Sequence, residues 1–153
     1  MRVVAQRVSR ASVTIEGETA GAIGPGLLLL VAMKGDESPE DLAWMANRCV
    51  GLRVFRDDQD KMNRSLLEVG GRILAISQFT LYGDCRKGRR PSFIGAGAPE
   101  LSEPLFEQFL EALRAQGAQV ETGRFGAMMQ VELVNDGPVT LIIERERQGQ
   151  SDE

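Results

Sequence analysis

The hydrophobic pattern of this chain begins with a period of two and changes to a helical period twice further on. Val3, Val4 and Val8, followed by Val13 and Ile15, predict strands over 2–9 and 12–16. Glu16-Gly17-Glu18 predicts a hairpin turn, and Ala20 to Ile23 a weak strand stopped by Gly24-Pro25-Gly26. Leu27 to Met33 is continuously apolar, the pattern of a strand buried on both faces. Ser38-Pro39-Glu40-Asp41 then offers a capping serine, a proline for the first helical position and acids for the first turn. Leu42, Met45, Ala46, Cys49 and Val50 follow at helical spacing, so a helix should run to Gly51 or Leu52.

Beyond it, Arg53 to Phe55 reads as a short strand, Asp57 to Asn63 as a polar turn and Leu66 to Val69 as a second short strand. Arg72 to Gln78 should be a central strand. Gly83 to Pro99 is a long basic loop, and loops of that length in a small domain usually carry function. Leu105, Phe106, Phe109, Leu110 and Leu113 define one face of a second helix over Ser102 to Ala115, with Gly117 as its cap. Pro104 is expected in its first turn. Val120, Met128 to Val134 and Val139 to Ile143 should be the closing strands. Many strands with two helices predict an α+β fold, a barrel-like or sandwich-like sheet of mostly antiparallel strands. One domain is expected over 1–147, with a polar tail over 148–153.

Composition narrows the chemistry. A chain of 153 residues can bury roughly 70% of its extended surface and needs no disulfide or metal staple. Met1-Arg2-Val3-Val4 leads straight into a strand pattern, and the longest apolar run is far short of the roughly 20 residues that span a bilayer. The expectation is a cytoplasmic protein that makes no membrane contact. The chain contains no histidine and two cysteines, Cys49 and Cys85, too few for a standard zinc site. Neither metal nor cofactor is expected. Net charge is −4, yet Arg86, Lys87, Arg89 and Arg90 place four cations in five residues. An acidic body with one basic loop suits local contact with a phosphate backbone, although a charge run is also the ordinary composition of a solvated loop.

Two segments set small polar residues or Gly-Pro against an apolar run: Ser77-Gln78-Phe79-Thr80-Leu81 and Asn135-Asp136-Gly137-Pro138-Val139-Thr140. The first is either a strand end with ordinary turn-formers or an oxyanion site made of backbone N–H groups, with Gln78 positioning substrate. Thr80 as a nucleophile needs an adjacent base, and nothing in the sequence sets Lys87 or Asp84 beside it. Cys85 has cationic neighbours that can activate a thiol but no histidine partner. Asp57 to Asn63 lacks the central glycine and closing glutamate of a calcium loop. Gly137-Pro138 reads by itself as a hairpin turn.

Together with Met1 to Val8, Ala11-Ser12-Val13, Lys61-Met62-Asn63 and Arg90-Pro91-Ser92-Phe93, these segments make the whole chain resemble the D-aminoacyl-tRNA deacylases. Animal-type relatives carry Pro-Gln-Ala-Thr where this chain has Ser77-Gln78-Phe79-Thr80, so the resemblance favours the D-specific branch. Asp60 departs from the glycine common at that turn position. The resemblance implies a homodimer with sites at the subunit interface, each receiving a cis Gly137-Pro138 from the partner. It implies hydrolysis of D-aminoacyl-tRNA and glycyl-tRNA esters and rejection of L-aminoacyl-tRNA. The backbone N–H groups of Phe79 and Thr80 would face the scissile carbonyl, and Ser77 and Gln78 would line the pocket. Arg7 would brace Gly137-Pro138, and Phe125 and Met129 would meet the terminal adenine. The competing reading is a non-enzymatic dimeric RNA-binding module, since a related editing domain occurs fused to an archaeal threonyl-tRNA synthetase.

Overall fold

A computed structural model of the chain describes residues 1–146. The expected tail over 148–153 lies outside the described residues. The backbone runs β1 (Arg2–Ile15), β2 (Glu18–Ile23), β3 (Gly26–Ala32), α1 (Pro39–Gly51), β4 (Phe55–Arg56), β5 (Met62–Arg64), β6 (Arg72–Ser77), a 3-10 turn (Phe79–Tyr82), α2 (Pro99–Ala115), β7 (Val120–Thr122) and β8 (Gln130–Glu144).

One strand organises the sheet. β1 pairs antiparallel with β3 through Arg2 to Val8 and with β2 through Ala11 to Ile15, while its other edge pairs with β8 along nearly its whole length. The two strands expected over 2–9 and 12–16 are therefore one, because successive partners support both halves. β3, β6 and β7 add a parallel edge. Parallel neighbours need a crossover, and the chain supplies α1 between β3 and β6, and α2 between β6 and β7. The result is a nearly closed, barrel-like sheet with two helices packed together against it.

The continuous apolar run finds its explanation in β3. Leu27, Leu29 and Val31 point into the core shared with the helices, where Met45, Cys49, Phe109 and Leu113 are fully buried. Leu28 points the other way, into a second cluster with Val8, Val13, Leu74 and Ile76. Each such large side chain contributes about 1.5–3 kcal/mol by leaving water.

The start of α1 is as expected. Ser38 Oγ accepts from Asp41 N at 3.2 Å, and Ser38 N donates to Asp41 Oδ2 at 2.9 Å, with Pro39 at the first position. Burial alone would raise the Asp41 carboxyl, but the Ser38 bonds and Arg145 outweigh it and hold it below its ordinary value. Trp44, one turn along α1, meets two guanidiniums, Arg48 and Arg145, each 4.9 Å from its ring centre.

Three further expectations are corrected. Leu66 to Val69 is a turn and not a strand, with Gly71 N donating back to Leu66 O at 2.9 Å. Leu66 is buried there in the core shared with the helices, while Leu67 and Val69 are exposed and have no strand to pair with. α2 starts three residues early, on Pro99, so Pro104 stands in the second turn. The carbonyl that Pro104 leaves without a donor belongs to exposed Glu100, which water reaches. Finally, 130–144 is one strand with a bulge in it, not two strands joined by a turn.

Candidate active site

β6 delivers the first motif to the end of the sheet. Ser77 pairs with Val31 on β3, and Gln78 N donates to Val31 O at 2.8 Å, so the chain leaves the strand under control. It then winds into the 3-10 turn. The N–H groups of Phe79 and Thr80 open that turn and have no acceptor within it. Phe79 is largely exposed, its ring set edge-on to Phe93 at 5.4 Å and 77°.

Ser77, Gln78 and Phe79 border a cavity of about 640 Å³. Phe125 and Met129, the two residues expected at the adenine, line the same cavity, as do Phe93, Met128 and Ser102. Thr80 is exposed and not part of the lining. In the sequence Ser102 stands out only as a helix start. Its spacing of four from Phe106 puts it on the buried face of α2, and that is the signal the sequence offers.

The nucleophile candidates find no base. The Thr80 hydroxyl takes a short hydrogen bond from the Gln78 side-chain amide, which cannot accept a proton. Asp84 is clamped by Arg86, whose guanidinium donates to both carboxylate oxygens at 2.9 and 2.7 Å and holds the carboxyl down at about 2. Cys49 is buried in the core, its thiol pushed up to about 12 by desolvation. Cys85 is exposed on the loop.

The basic residues form a loop closed at its neck by Asp84 and Ser92, which exchange backbone bonds of 2.7 and 2.9 Å. Lys87, Arg89 and Arg90 are exposed on it, and Arg86 is engaged with Asp84. The loop leads directly into Phe93 at the cavity wall.

The second motif lies elsewhere. In the β1–β8 ladder Gln6 pairs with Thr140 and Val8 with Asn135, so Asp136 to Val139 bulge out opposite the single residue Arg7. Arg7 is 4% exposed and fills the gap. Its Nε donates to Asp136 O at 3.0 Å, and its Nη1 donates to Val54 O at 2.7 Å. Asn135 ties the neck, donating to Arg7 O and to Val139 O, both at 2.9 Å. Arg56 meets the Asp136 carboxylate at 3.2 Å. The Gly137-Pro138 peptide bond is cis, and Gly137 sits at φ +134°, where an added Cβ would lie 2.9 Å from Arg7 Nη2. Gly137 and Pro138 are exposed and do not line the cavity of their own chain.

Known proteins decide what this arrangement belongs to. The family model described as D-Tyr-tRNA(Tyr) deacylase matches residues 4–144. The chain belongs to that family. A D-aminoacyl-tRNA deacylase of Exiguobacterium sp. is 59% identical over 145 residues, spanning 95% of this chain and 99% of that protein. One of Brevibacillus brevis is 57% identical over 144 residues, spanning 94% and 99%. Among solved structures, the c-Myc DNA Unwinding Element Binding Protein superposes with a TM-score of 0.89 at 39% identity, over 96% of this chain and 100% of its own. A probable eukaryotic D-amino acid tRNA deacylase shares the fold, at a TM-score of 0.80 and 20% identity, over 93% of this chain and 97% of its own. Among the described residues no helix is long and apolar enough to cross a membrane.

Proposed function

We propose that the protein hydrolyses the ester of D-aminoacyl-tRNA, releasing the D-amino acid and free tRNA. The observation that carries this reading is the family match over 4–144, with Ser77-Gln78-Phe79 at the mouth of a cavity large enough for an aminoacyl-adenosine. An aminoacyl ester is already activated, so the reaction needs little acid–base help. The ribose hydroxyl next to the ester assists the attacking water. The N–H groups of Phe79 and Thr80 receive the developing oxyanion, a donor of this kind being worth about 3–4 kcal/mol. Ser77 and Gln78 orient the substrate, and Phe125 and Met129 hold the adenine.

The active form in this reading is a homodimer. Arg7 holds Gly137-Pro138 outward, away from its own cavity, where it can enter a partner's. Val134, Leu141 and Ile142 flank the bulge on β8 and are exposed, Ile142 by 67%, which supports a second copy covering that strand. Attractive contacts alone separate mirror-image amino acids poorly, so an obstruction at the L side-chain position does the work. Glycine has no side chain to obstruct, and glycyl-tRNA passes. Lys87, Arg89 and Arg90 take tRNA phosphates, with Arg86 held in place by Asp84. The same reading puts the protein in the cytoplasm, with charged tRNA.

A solved relative at 39% identity is named for a DNA element, which keeps a nucleic-acid-binding module as the second reading. Incubation with D-tyrosyl-tRNA and L-tyrosyl-tRNA separates the two. Loss of the D ester alone supports the deacylase. Binding of tRNA without ester loss supports the module.

A further inference from the structure

The turn that carries the end of the first motif is held from outside the cavity. Phe79–Tyr82 is a single turn, and a lone turn is costly to form because each of its few bonds fixes several dihedrals. Leu81 N donates to Gln78 O at 3.2 Å and Gly83 N to Thr80 O at 2.9 Å. The Leu81 carbonyl is not served in this way. The next donor in that series would be Asp84 N, which is given instead to Ser92 O at 2.7 Å to close the neck of the basic loop. Arg2 supplies the missing donor. Its Nη1 donates to Leu81 O at 2.7 Å, across a separation of 79 residues.

Arg2 is itself aimed. It opens β1 opposite Glu144 in the β1–β8 ladder, and its Nε donates to Glu144 Oε1 at 2.8 Å. The centre of the Tyr82 ring, buried at the end of the turn, lies 4.9 Å from the guanidinium carbon, and Tyr82 Oη donates to Glu146 at 3.0 Å. The guanidinium is thus fixed by β8 and by the last residue of the turn while it holds the carbonyl between them. A rigid planar fork can serve such partners together, which the point charge of an ammonium cannot. Neither Arg2 nor Leu81 lines the cavity, so Arg2 acts on it through the turn. Leu81 follows Thr80 directly, and a swing of the Leu81 peptide passes to the Phe79 and Thr80 N–H groups.

We infer that Arg2 is a positioning residue for ester hydrolysis: by holding the Leu81 carbonyl it fixes the aim of the Phe79 and Thr80 N–H groups. The inference rests on the deacylase reading and adds to it a residue that touches no substrate. Oxyanion donors act only when they meet the charge where it develops, and a misplacement of about 1 Å costs about a hundredfold in rate. Arg2 makes no cavity contact, so its loss should fall on kcat and spare KM.

The test compares Arg2→Met with Arg10→Met. Arg10 lies on the same strand and meets Glu132 of β8 at 2.9 Å, so its replacement removes a cross-strand ion pair and leaves the turn alone. On D-tyrosyl-tRNA, Arg2→Met should lose about ten- to a hundredfold in kcat with KM within about twofold of wild type, and Arg10→Met should keep both. The amide NMR signals of Phe79 and Thr80 should move in Arg2→Met and stay in Arg10→Met, a signature that a merely stabilising pair does not give. A kcat within about threefold of wild type in Arg2→Met, an equal loss in Arg10→Met, a raised KM with kcat unchanged, or unmoved Phe79 and Thr80 signals overturns the assignment while the deacylase stands. Should Arg2→Met not fold, Glu144→Ala carries the same test, because it keeps the guanidinium and frees its Nε. There kcat should fall at least about threefold with KM unchanged, and an unchanged kcat overturns the assignment. Absence of D-ester hydrolysis by wild type removes the deacylase reading and the assignment with it.

Discussion

Arg7 offers a sharp test, because everything it does is concentrated in a few bonds. Replacing it with methionine keeps an apolar stem in the gap and removes the guanidinium. Two charge-assisted bonds to backbone carbonyls disappear, those to Asp136 O at 3.0 Å and Val54 O at 2.7 Å. At the low end of about 1.5 kcal/mol each, the cost is about 3 kcal/mol. For a chain of this length that lowers Tm by about 6–12 °C and leaves most domains folded at 25 °C. Asp136→Asn keeps both backbone bonds and removes two ion pairs, with Arg7 at 3.4 Å and with Arg56 at 3.2 Å, on a carboxylate more than a third exposed, and should cost less than about 1 kcal/mol. Urea unfolding of both variants gives the ranking. The same proteins, assayed on D- and L-tyrosyl-tRNA, should show that Arg7→Met hydrolyses the L ester relatively faster, because the loop that it fixes is loosened. A cost below about 1 kcal/mol for Arg7→Met, or an equal cost for Asp136→Asn, would refute the claim that the guanidinium holds the bulge.

Four further outcomes are expected. Thr80→Ala and Cys85→Ala should each keep much of the deacylase rate, and a drop beyond roughly a thousandfold for Thr80→Ala in a folded protein would make its hydroxyl the nucleophile. Neutralising Lys87 and Arg89 should flatten the salt dependence of tRNA binding by about one log–log unit for each phosphate no longer bound, and an unchanged slope would return the loop to solvent. Asp60 stands at φ +58°, so Asp60→Gly should raise stability by about 0.5–1 kcal/mol in thermal unfolding, the left-handed penalty less the entropy of glycine. Glu146 accepts from Tyr82 Oη at 3.0 Å and pairs with Lys34 Nζ at 2.7 Å. Burial alone would raise its carboxyl, but these two partners outweigh it and hold it below the ordinary 4.5. The advantage of wild type over Glu146→Gln should therefore be full above about pH 4.5 and vanish as pH falls through the depressed value. An advantage that persists in acid would remove the charge from the explanation.

Local signals locate the elements well where local chemistry decides them. Ser38, Pro39 and Asp41 specify the start of α1 by bonds within four residues, and the run from Leu27 marks the doubly buried β3. Decisions made by distant partners are not legible. Nothing near Ser9 says that β1 continues, because β2 and β8 supply the pairing from elsewhere. Asp136 to Val139 has turn composition, and only Arg7, far off in sequence, converts it into a bulge within a strand. Leu66 to Val69 has apolar composition without an available edge. For the site, the family resemblance points to Phe125 and Met129, whereas Ser102 carries no motif and joins the cavity lining only once α2 is in place.

The cluster of Trp44 with Arg48 and Arg145 makes the protein its own optical gauge. Trp44 is the single tryptophan, so all indole emission comes from one place. It packs on the helix-side core and does not line the cavity. A nucleotide in the cavity therefore makes no direct contact with this fluorophore, while release of Arg145, the residue that follows β8, removes one cation from its ring. Quenching and wavelength shifts will report the seating of the last strand against α1.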